Sequence, residues 1–500
     1  DELMTHTGRN QPVKLNNANL GLLPDSVLKP KYDRSKLTPG IVHIGLGNFH
    51  RAHQAWYLHC LMQQGLALDW AIIGAGVRSG DAAMRERLGP QDFLSTLIEL
   101  DPTGTSAEVV GSMVGYVPIE DGNGPLISQM ADPAIRIVAL TVTEGGYFLN
   151  PATNAFDPGH PDIVYDAAHP DHPRTAFGAI ISALGQRRST GSGPLTLQCC
   201  DNLQGNGDVL RQTVVSLARL SDPDLANWID EACSFPNAMV DCIVPATGEA
   251  ECELVRSLGI DDAAPVTHEN FRQWVIEDDF CAGRPPWDLV GVTLTDDVHA
   301  YETMKLRILN GGHQLIGNPG ELLSVRTIAE CMADPQIGAF FRKVASTEIV
   351  PHVQDVPGMT ALEYVNLIER RFSNPSIVDT ARRVAFDGSS KRASQLLGSL
   401  RDGLASDAPI EGLALAEALW ARMCEGTRED GGTILPNDPE WDALQAAARS
   451  ARDRPQAWLE QSKIYGSLSQ NTRFSTAFSE ALVSVWRDGS RAALAHYLQR

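Results

Sequence analysis

The chain has 500 residues, 43% of them hydrophobic and 21% charged, a composition typical of a soluble globular protein with two or more domains. Its formal net charge of −21, without any lysine- and arginine-rich run, would repel a phosphate backbone and argues against nucleic acid and anionic membranes as partners. No apolar run approaches the roughly 20 residues that span a bilayer, no signal pattern begins the sequence, and the nine cysteines form no CxxC pair, so we expect reduced thiols and a cytoplasmic location.

In the first half of the chain, short apolar strands alternate with helices. The pattern predicts strands at 41–47, 70–77, 135–148 and 194–202 and helices at 50–65 and 207–220. Such alternation predicts an α/β fold with a doubly wound, Rossmann-type parallel sheet. The span 150–185, rich in Pro, Asp and His, is predicted to be a surface excursion from this domain.

Near residue 290 the pattern changes. Residues 287–298 form the last predicted extended segment, and almost every later apolar segment has helical spacing. We therefore predict a Rossmann-type dinucleotide-binding domain over residues 1–292 and a mainly α-helical substrate-binding and catalytic domain over 293–500.

A glycine loop, GLGNFHRAH at 45–53, follows the first predicted strand and precedes a helix. In a dinucleotide-binding unit, glycines at this point permit a tight turn and a close approach of the pyrophosphate to the helix amino terminus. Gly45 and Gly47 fit the first two positions of the fingerprint, whereas His50 occupies the third. The match alone also fits a plain strand-to-helix turn, but its place after the first strand favours cofactor binding.

The carboxylate that would hold the ribose hydroxyls normally ends the second strand. The stretch VRSGD at 77–81 offers Asp81 for this role, whereas the neighbouring Arg78 could meet a 2′-phosphate instead. The carboxylate favours NAD as the cofactor, and NADP stays open.

A second polar pattern lies in KLRILNGGHQ at 305–314. At about 100° per residue, an α-helix would place Asn310 about 140° and His313 about 80° from Lys305, on one half of its surface. The axial span from Lys305 to His313, about 12 Å, suits a track along an extended substrate. The glycine pair after Asn310 indicates close approach by a ligand or by another backbone.

These residue types suit the oxidation of a secondary alcohol by hydride transfer. A lysine can take the hydroxyl proton if its surroundings lower its pKa from about 10.4. The amides of Asn310 and Asn202 can stabilise the developing alkoxide, and His313 can hold a substrate hydroxyl. Spacing alone slightly favours a structural interpretation, in which the lysine is paired with an acid and the histidine belongs to the core.

Several separated motifs, in order along nearly the whole chain, resemble the zinc-independent long-chain polyol dehydrogenases, the family of the mannitol dehydrogenases. They are HIGLGNFHRAHQAWY (43–57), TVTEGGY (141–147), CDNLQGNG (200–207), SFPNAMVDCIVP (234–245), TDDVHAYETMKLRILNGGH (295–313) and RFSNPSIVDTARRVAFDGSSK (371–391). The resemblance implies an NAD-dependent enzyme that interconverts a sugar alcohol and a ketose, mannitol and fructose first among them. It also implies a monomer that uses no metal, and the histidines and cysteines have no metal-ligand spacing.

The resemblance implies a role for each matching residue. Lys305 is the expected general base, Asn202 and Asn310 the pair that stabilises the oxyanion, and His313 the fourth catalytic residue. The expected substrate-binding residues are Asp241, Arg383 and Lys391. The expected cofactor-binding residues are Gly45, Gly47, Asn48, Phe49, Arg78, Asp81, Thr143 and Glu144.

The chain departs from the family pattern near the expected substrate wall. The stretch HQLIGNPGELLS at 313–324 replaces an aliphatic continuation, and no proline-containing run follows Lys391. The preferred substrate therefore stays open, with hexuronate reduction and arabinitol or sorbitol oxidation as alternatives, and Arg383 could bind a substrate carboxylate. A nucleotide-binding regulator without catalysis is the alternative from another class, and it would have no reason to keep a buried lysine beside two amides.

Overall fold

The computed structural model describes residues 11–150, 153 and 155–500. The chain divides into two compact units, the first ending at Val298 and the second running over His299–Arg500. Each unit has its own architecture, which is described separately below.

Strands are confined to the first unit within the described residues. They are β1 (Val13–Lys14), β2 (Pro39–Ile44), β3 (Ala71–Ala75), β4 (Ser95–Asp101), β5 (Gly104–Val110), β6 (Met113–Tyr116), β7 (Ile137–Leu140), β8 (Thr196–Cys199), β9 (Ala238–Asp241), β10 (Ile260–Asp261), β11 (Val266–Glu269), β12 (Gln273–Glu277) and β13 (Thr293–Thr295).

The main sheet is parallel, with the strand order β6-β3-β2-β7-β8. From β2 the chain adds β3 and then β6 on one side, and it later adds β7 and then β8 on the other side of β2. The strand order therefore reverses between β2 and β7. In sheets of this kind, ligands bind beyond the carboxyl ends of the strands at that reversal. The glycine loop directly follows β2 and therefore lies at this point.

The helices of the first unit are α1 (Asn48–Ala52), α2 (Gln54–Gln63), α3 (Ala82–Leu88), α4 (Gly124–Ala131), α5 (Pro161–Ala168), α6 (Ala176–Thr190), α7 (Asn206–Ser221), α8 (Pro223–Ala232) and α9 (Glu249–Ser257). They cover both faces of the main sheet. Alternate side chains of a strand point to opposite faces, and apolar side chains on both faces of these strands are buried against helices. Val42 packs with Leu184 and Leu210 on one face, and Ile41 packs with Leu58 on the other. The prediction of a doubly wound parallel sheet is confirmed.

Three local predictions for this unit differ from the structure. The helix predicted at 50–65 is broken at His53, whose φ of −116° and ψ of −90° separate α1 from α2. The segment 287–298 contains a 3₁₀ turn at Trp287–Val290 before the short strand β13. The surface excursion predicted at 150–185 is wrong for α6, which buries Phe177, Ile180 and Leu184, because the polar run before it concealed the apolar stretch AFGAIISALG.

The second unit is helical throughout its described residues. Its α-helices are α10 (Val298–Met304), α11 (Gly311–Leu322), α12 (Ile328–Ala333), α13 (Pro335–Val344), α14 (Ala361–Phe372), α15 (Ala381–Ala385), α16 (Gly388–Arg392), α17 (Gly398–Ala405), α18 (Glu411–Cys424), α19 (Trp441–Asp453), α20 (Gln456–Leu459), α21 (Ser462–Tyr465), α22 (Thr472–Asp488) and α23 (Ser490–Leu498). The predicted boundary between 292 and 293 falls directly before β13, whose pairing with β12 ties residues 293–295 to the first unit.

Two buried helices organise this second unit. Every residue of α11 is buried, and α18 is buried from Gly412 to Cys424. Three segments of π-helix interrupt the α-helical runs, at Lys305–Asn310, Ala345–Ile349 and Ala393–Leu397. Such wide turns are rare and occur frequently at functional sites. Within the described residues, every helix is too short or too polar to pass through a lipid bilayer.

Candidate active site

The glycine loop meets the two requirements of its fingerprint at Gly45 and Gly47. Gly45 has a φ of +84°, and a β-carbon there would lie 2.0 Å from the carbonyl oxygen of Thr141, so only glycine fits this crossing of the β2 and β7 ends. A β-carbon on Gly47 would find no neighbouring atom closer than 4.0 Å, which leaves open space at the start of α1. This open space is where a dinucleotide pyrophosphate would need to approach the backbone.

The third fingerprint position, His50, is part of the packing. Its ring stacks on that of His43, with 3.5 Å between the ring centroids, and it is 2% exposed. Burial, together with the neighbouring His43, lowers the pKa of His50 well below its ordinary value. The departure from glycine therefore places a neutral, buried ring between α1 and β2.

Asn48 and Phe49 lie at the start of α1, but their side chains already have protein partners. Asn48 donates to the Thr247 hydroxyl at 3.0 Å and accepts from the buried Arg51 guanidinium at 2.8 Å. Phe49 stacks on His53 at 4.9 Å. These contacts fix the loop, so any contribution of Asn48 and Phe49 to cofactor binding comes from backbone groups or an exposed edge.

Beyond β3, Asp81 closes its own loop. Its Oδ2 accepts hydrogen bonds from the backbone N–H groups of Val77 and Arg78, both at 3.0 Å. Arg78 is exposed. One carboxylate oxygen therefore holds the turn, and the other is the one that a ribose hydroxyl could reach.

The ends of β7 and β8 are joined at Asp201. Its carboxylate accepts from the backbone N–H of Val142 at 3.0 Å and of Thr143 at 3.2 Å. Glu144 begins the 3₁₀ turn that follows Thr143. Asn202, the next residue after Asp201, is exposed at the carboxyl edge of the main sheet. The predicted residues Thr143 and Asn202 are thus brought to one edge of the first unit.

Asp241 ends β9, a strand of a separate three-stranded sheet in the first unit. It is 5% exposed and lies opposite Gln273 in the antiparallel pairing with β12. A carboxylate at a strand end can accept hydrogen bonds from hydroxyl groups.

In the second unit, the stretch that carries Lys305 and Asn310 is a π-helix, Lys305–Asn310, between α10 and α11. The α-helical angles predicted for these residues are therefore wrong, because a π-turn adds one residue per hydrogen-bonded ring. Lys305 is 7% exposed. Arg307 leaves this side of the helix and pairs with Asp402 at 2.7 Å.

The glycine pair after this π-helix is explained by protein neighbours. A β-carbon on Gly311 would lie 2.7 Å from the carbonyl oxygen of Gln395, in the π-helix that follows α16. A β-carbon on Gly312 would lie 2.6 Å from the Phe341 ring. Of the two predicted reasons for the pair, a ligand or another backbone, the structure supplies the second for Gly311, whereas Gly312 makes room for an aromatic side chain.

His313 and Asn310 present polar atoms that lack partners. The Nε2 of His313 and the Oδ1 of Asn310 are buried and have no hydrogen-bond partner among the described residues. The His313 ring stacks on Phe372 at 4.4 Å. Because buried polar atoms are nearly always hydrogen-bonded, these two atoms, three residues apart, are free to bond a ligand or a water molecule.

The charges around His313 come from three later segments of the same unit, at α14, α15 and α16. Burial lowers the pKa of His313 to about 3, with Arg383, Arg371 and Lys391 acting in the same direction and Asp379 opposing them. The ring is therefore neutral at physiological pH and can exchange hydrogen bonds with a hydroxyl without carrying charge. Lys391 is half-buried at the end of α16.

Arg383 is held by Asp379, which lies four residues earlier, just before the N-cap of α15. Nη2 of Arg383 donates to Oδ2 of Asp379 at 2.6 Å, and Nε donates to Oδ1 of the same carboxylate. Asp379 is 8% exposed, and its pKa is lowered by this bidentate contact against the opposing effect of burial. The guanidinium charge is thus largely compensated within the protein.

Sequence reasoning missed two residues that organise these groups, Asp201 and Asp379. Asp379 precedes the first turn of α15, whose N-cap is Thr380, so the helix-face spacing of four residues did not apply to its contact with Arg383. The contact of Asp201 with Thr143 spans 58 positions in the chain and left no local signal. No cluster of three or more His, Cys, Asp or Glu side chains suited to a metal ion occurs among the described residues.

A Rossmann-type unit with a glycine loop at the reversal of strand order, followed by a helical unit, is the architecture expected of a two-domain dehydrogenase. The model of the Mannitol dehydrogenase Rossmann domain matches residues 39–289, and that of the Mannitol dehydrogenase C-terminal domain matches residues 297–486. The chain belongs to the mannitol dehydrogenase family, a family of polyol dehydrogenases, and is an oxidoreductase. The resemblance seen in the sequence motifs is thereby confirmed.

Individual relatives cover nearly the whole chain. Mannitol 2-dehydrogenase of Cereibacter sphaeroides is 55% identical over 473 residues, which are 95% of this chain and 99% of that one. The structure of Pseudomonas fluorescens mannitol 2-dehydrogenase in a ternary complex with NAD and D-mannitol has a TM-score of 0.88 and 40% identity, covering 98% of this chain and all of that chain. D-sorbitol dehydrogenase in substrate-free form also has a TM-score of 0.88, with 32% identity, covering 96% of this chain and 100% of that one.

Proposed function

We propose that this enzyme interconverts mannitol and fructose by hydride transfer with NAD as the cofactor. The observation that carries the proposal is the pair of unpartnered buried atoms, His313 Nε2 and Asn310 Oδ1, on the turns that follow Lys305. An amide oxygen and a neutral ring nitrogen can both form hydrogen bonds with neutral hydroxyl groups, which a polyol supplies. The 55% identity to a mannitol 2-dehydrogenase supports mannitol as that polyol.

The first unit fits a dinucleotide. The crossing at Gly45 and the open space at Gly47 leave the backbone accessible after β2, where the strand order reverses. Asp81 lies in the 3₁₀ turn Ser79–Asp81 that follows the next strand, β3, and there its carboxylate would bind ribose hydroxyls and favour NAD over NADP. When bound, NAD accepts the hydride from the carbon that bears the reacting hydroxyl.

The residues of the chain handle the proton and the developing charge. Lys305, nearly buried, takes the hydroxyl proton on its Nζ during oxidation and returns it during reduction. The amide N–H groups of Asn310 and Asn202 donate to the oxygen as it gains negative charge. His313, neutral because burial lowers its pKa to about 3, holds a neighbouring hydroxyl.

Asp241, Arg383 and Lys391 bind the remaining hydroxyls in this proposal. The bidentate contact between Arg383 and Asp379 favours a neutral polyol over a hexuronate. A substrate carboxylate would have to compete with Asp379 for the same guanidinium, whereas a hydroxyl can use its remaining N–H groups. This contact is the reason to prefer polyol oxidation to the reduction of a sugar acid.

A substrate panel tests the proposal. Purified enzyme is assayed by nicotinamide absorbance with mannitol, sorbitol, arabinitol and mannonate, each with NAD and with NADP. We expect mannitol with NAD to give the highest kcat/KM and mannonate to give the lowest. A higher kcat/KM with mannonate than with mannitol would overturn the assignment of the substrate, and a higher value with NADP would overturn that of the cofactor.

The panel also needs a variant that separates charge from hydrogen bonding. In Asp379→Asn the guanidinium of Arg383 loses its carboxylate, so turnover of mannonate should rise relative to turnover of mannitol. The matched control is Asp402→Asn, which removes the carboxylate partner of Arg307 in the same unit and should leave that ratio unchanged.

A further inference from the structure

Asp201 joins two adjacent strands of the main sheet where a cofactor would bind. It follows β8 and is 8% exposed. Its Oδ2 accepts from the backbone N–H of Val142, and its Oδ1 accepts from the backbone N–H of Thr143, both beyond the end of β7. The buried hydroxyl of Tyr147 donates a third hydrogen bond to Oδ2.

The turn that Asp201 holds is strained. Thr143 has a φ of 68° and a ψ of 160°, a region that a β-branched residue rarely adopts. Such a conformation persists only when its surroundings impose it, and it is found most often at functional sites. The carboxylate of Asp201 accepts from the N–H of Thr143 itself, and the N–H of Gly146 donates to the Thr143 carbonyl oxygen at 3.0 Å, so both contacts hold this conformation.

This turn lies next to the glycine loop. The hydroxyl of Thr141 donates to the carbonyl oxygen of Gly45 at 2.7 Å, so the backbone after β7 and the backbone after β2 are in contact where the strand order reverses. Any movement of the Thr143 turn would therefore change the wall that faces the glycine loop.

The opposite side of the Asp201 segment is fixed by Asn206. Its Nδ2 donates to the carbonyl oxygen of Asp201 at 3.2 Å, and its Oδ1 accepts from the N–H of Ala238 at 2.9 Å. Gly207 follows, where a β-carbon would lie 2.4 Å from the carbonyl oxygen of Phe235. Asn202 is thus the exposed residue of a segment clamped on both sides.

We propose that Asp201 is a positioning residue that sets the Thr143 turn against the cofactor and aims the Asn202 amide at the reacting oxygen. Asp201 couples the Thr143 turn to Asn202, because its side chain bonds the turn and its backbone directly precedes Asn202. The inference rests on the proposed function for the role of Asn202, but the clamp itself is independent of any activity.

Asp201→Asn tests the proposal. The substituted amide keeps one acceptor oxygen and turns an N–H group towards the other backbone donor, so the Thr143 turn should relax. We expect amide hydrogen exchange at Val142 and Thr143 to accelerate at least tenfold, NADH binding to weaken, and kcat to fall about 100-fold, the loss expected of a misplaced catalytic group.

Asp166→Asn is the matched control. Asp166 is 3% exposed in the same unit and likewise accepts from two consecutive backbone N–H groups, those of Arg174 and Thr175. Both variants lose a comparable buried contact, so both should lose thermal stability. Only Asp201→Asn should change NADH binding and kcat, and equal kinetic losses in the two variants would overturn the positioning role.

The wild-type protein supplies a test that does not depend on the variant folding. Its Val142 and Thr143 amides lie beyond β7, yet they should exchange as slowly as the strand amide of Leu140. Exchange at the rate of an open loop would overturn the clamp. Absence of mannitol turnover in the wild type would instead contradict the proposed function and leave this exchange result standing.

Discussion

Gly311→Ala tests the close contact between the start of α11 and the π-helix Ala393–Leu397. Gly311 has ordinary helical angles, φ −59° and ψ −40°, so an alanine would be favoured there by helix propensity by about 1 kcal/mol. The new β-carbon would lie 2.7 Å from the carbonyl oxygen of Gln395. Because that atom is backbone, the helices must separate, and overpacking of this kind costs about 1–3 kcal/mol. We expect a net loss of up to about 2 kcal/mol in the free energy of unfolding.

Gly311→Ala should also slow the reaction. Asn310 directly precedes Gly311, so moving the helix moves its amide, and we expect kcat for mannitol oxidation to fall about tenfold or more. Urea unfolding gives the change in stability, and steady-state kinetics gives the change in kcat.

Gly185→Ala is the matched control for Gly311→Ala. Gly185 lies inside α6, and a β-carbon there would meet only Leu225, at an ordinary 3.5 Å. Helix propensity should then dominate, so this variant should be more stable by up to about 1 kcal/mol, with unchanged kcat. Stabilisation by Gly311→Ala, or destabilisation of the same size in both variants, would refute the reasoning from close contact.

Three further predictions concern charge. Arg392 and Glu417 form a buried ion pair, 0% and 1% exposed, so Arg392→Met or Glu417→Leu alone should lower the free energy of unfolding by about 3–5 kcal/mol, whereas the double variant should be nearly as stable as the wild type. Urea unfolding measures these changes, and the same substitutions at the exposed pair of Arg454 and Glu460 should change the stability much less. Because the pKa of His313 is lowered to about 3 in the folded chain, the unfolded chain binds a proton there below about pH 6.5 that the folded chain does not. The stability of the wild type relative to His313→Asn should therefore fall as the pH is lowered from 7.5 to 5, and a constant difference in unfolding free energy would contradict the buried, neutral ring. Asp81→Ala should raise KM for NAD about tenfold and raise KM for NADP less, because the lost carboxylate is the group expected to bind the ribose hydroxyls; equal changes for both cofactors would contradict that role.

The main elements of the fold were predictable because their signals are local. Strand-like runs ending in glycine and the later helical spacing predicted the parallel sheet and the helical second unit. The π-helix at Lys305–Asn310 was not predictable in this way, since a single wide turn leaves the apolar pattern of its neighbours intact. Its position depends on Gln395, which approaches Gly311 from a distant part of the chain.

The candidate site was predictable to different depths in the two units. Polar residue types and motif order pointed to Lys305, Asn310 and His313, and the structure adds that His313 and Asn310 have buried atoms without partners in the described chain. The contacts that other candidate residues make within the protein could not be seen in the sequence. Asp81 accepts hydrogen bonds from its own loop, and the charge of Arg383 is compensated by that of Asp379. Neither contact could be predicted, because both depend on the folded path of the backbone.

Gln314 shows how a departure from the family pattern can be structural. The sequence differs from the family from His313 onward, and this suggested a substrate contact. Gln314 is instead 2% exposed, donates to the carbonyl oxygen of Val384 and accepts from Arg392, both at 3.1 Å. Its role in the structure is to join α11 to α15 and α16.

The most direct test of the proposed mechanism is single-turnover hydride transfer in Lys305→Ala with saturating mannitol and NAD. We expect the rate to fall by at least 1,000-fold, within the range that general bases contribute, while NADH binding and the unfolding midpoint stay close to those of the control variant Lys343→Ala. Lys343 also donates a hydrogen bond in the second unit, to the Tyr497 carbonyl oxygen at 2.6 Å, but lies outside the candidate site. A rate in Lys305→Ala comparable with that of the control would contradict the assignment of Lys305 as the general base.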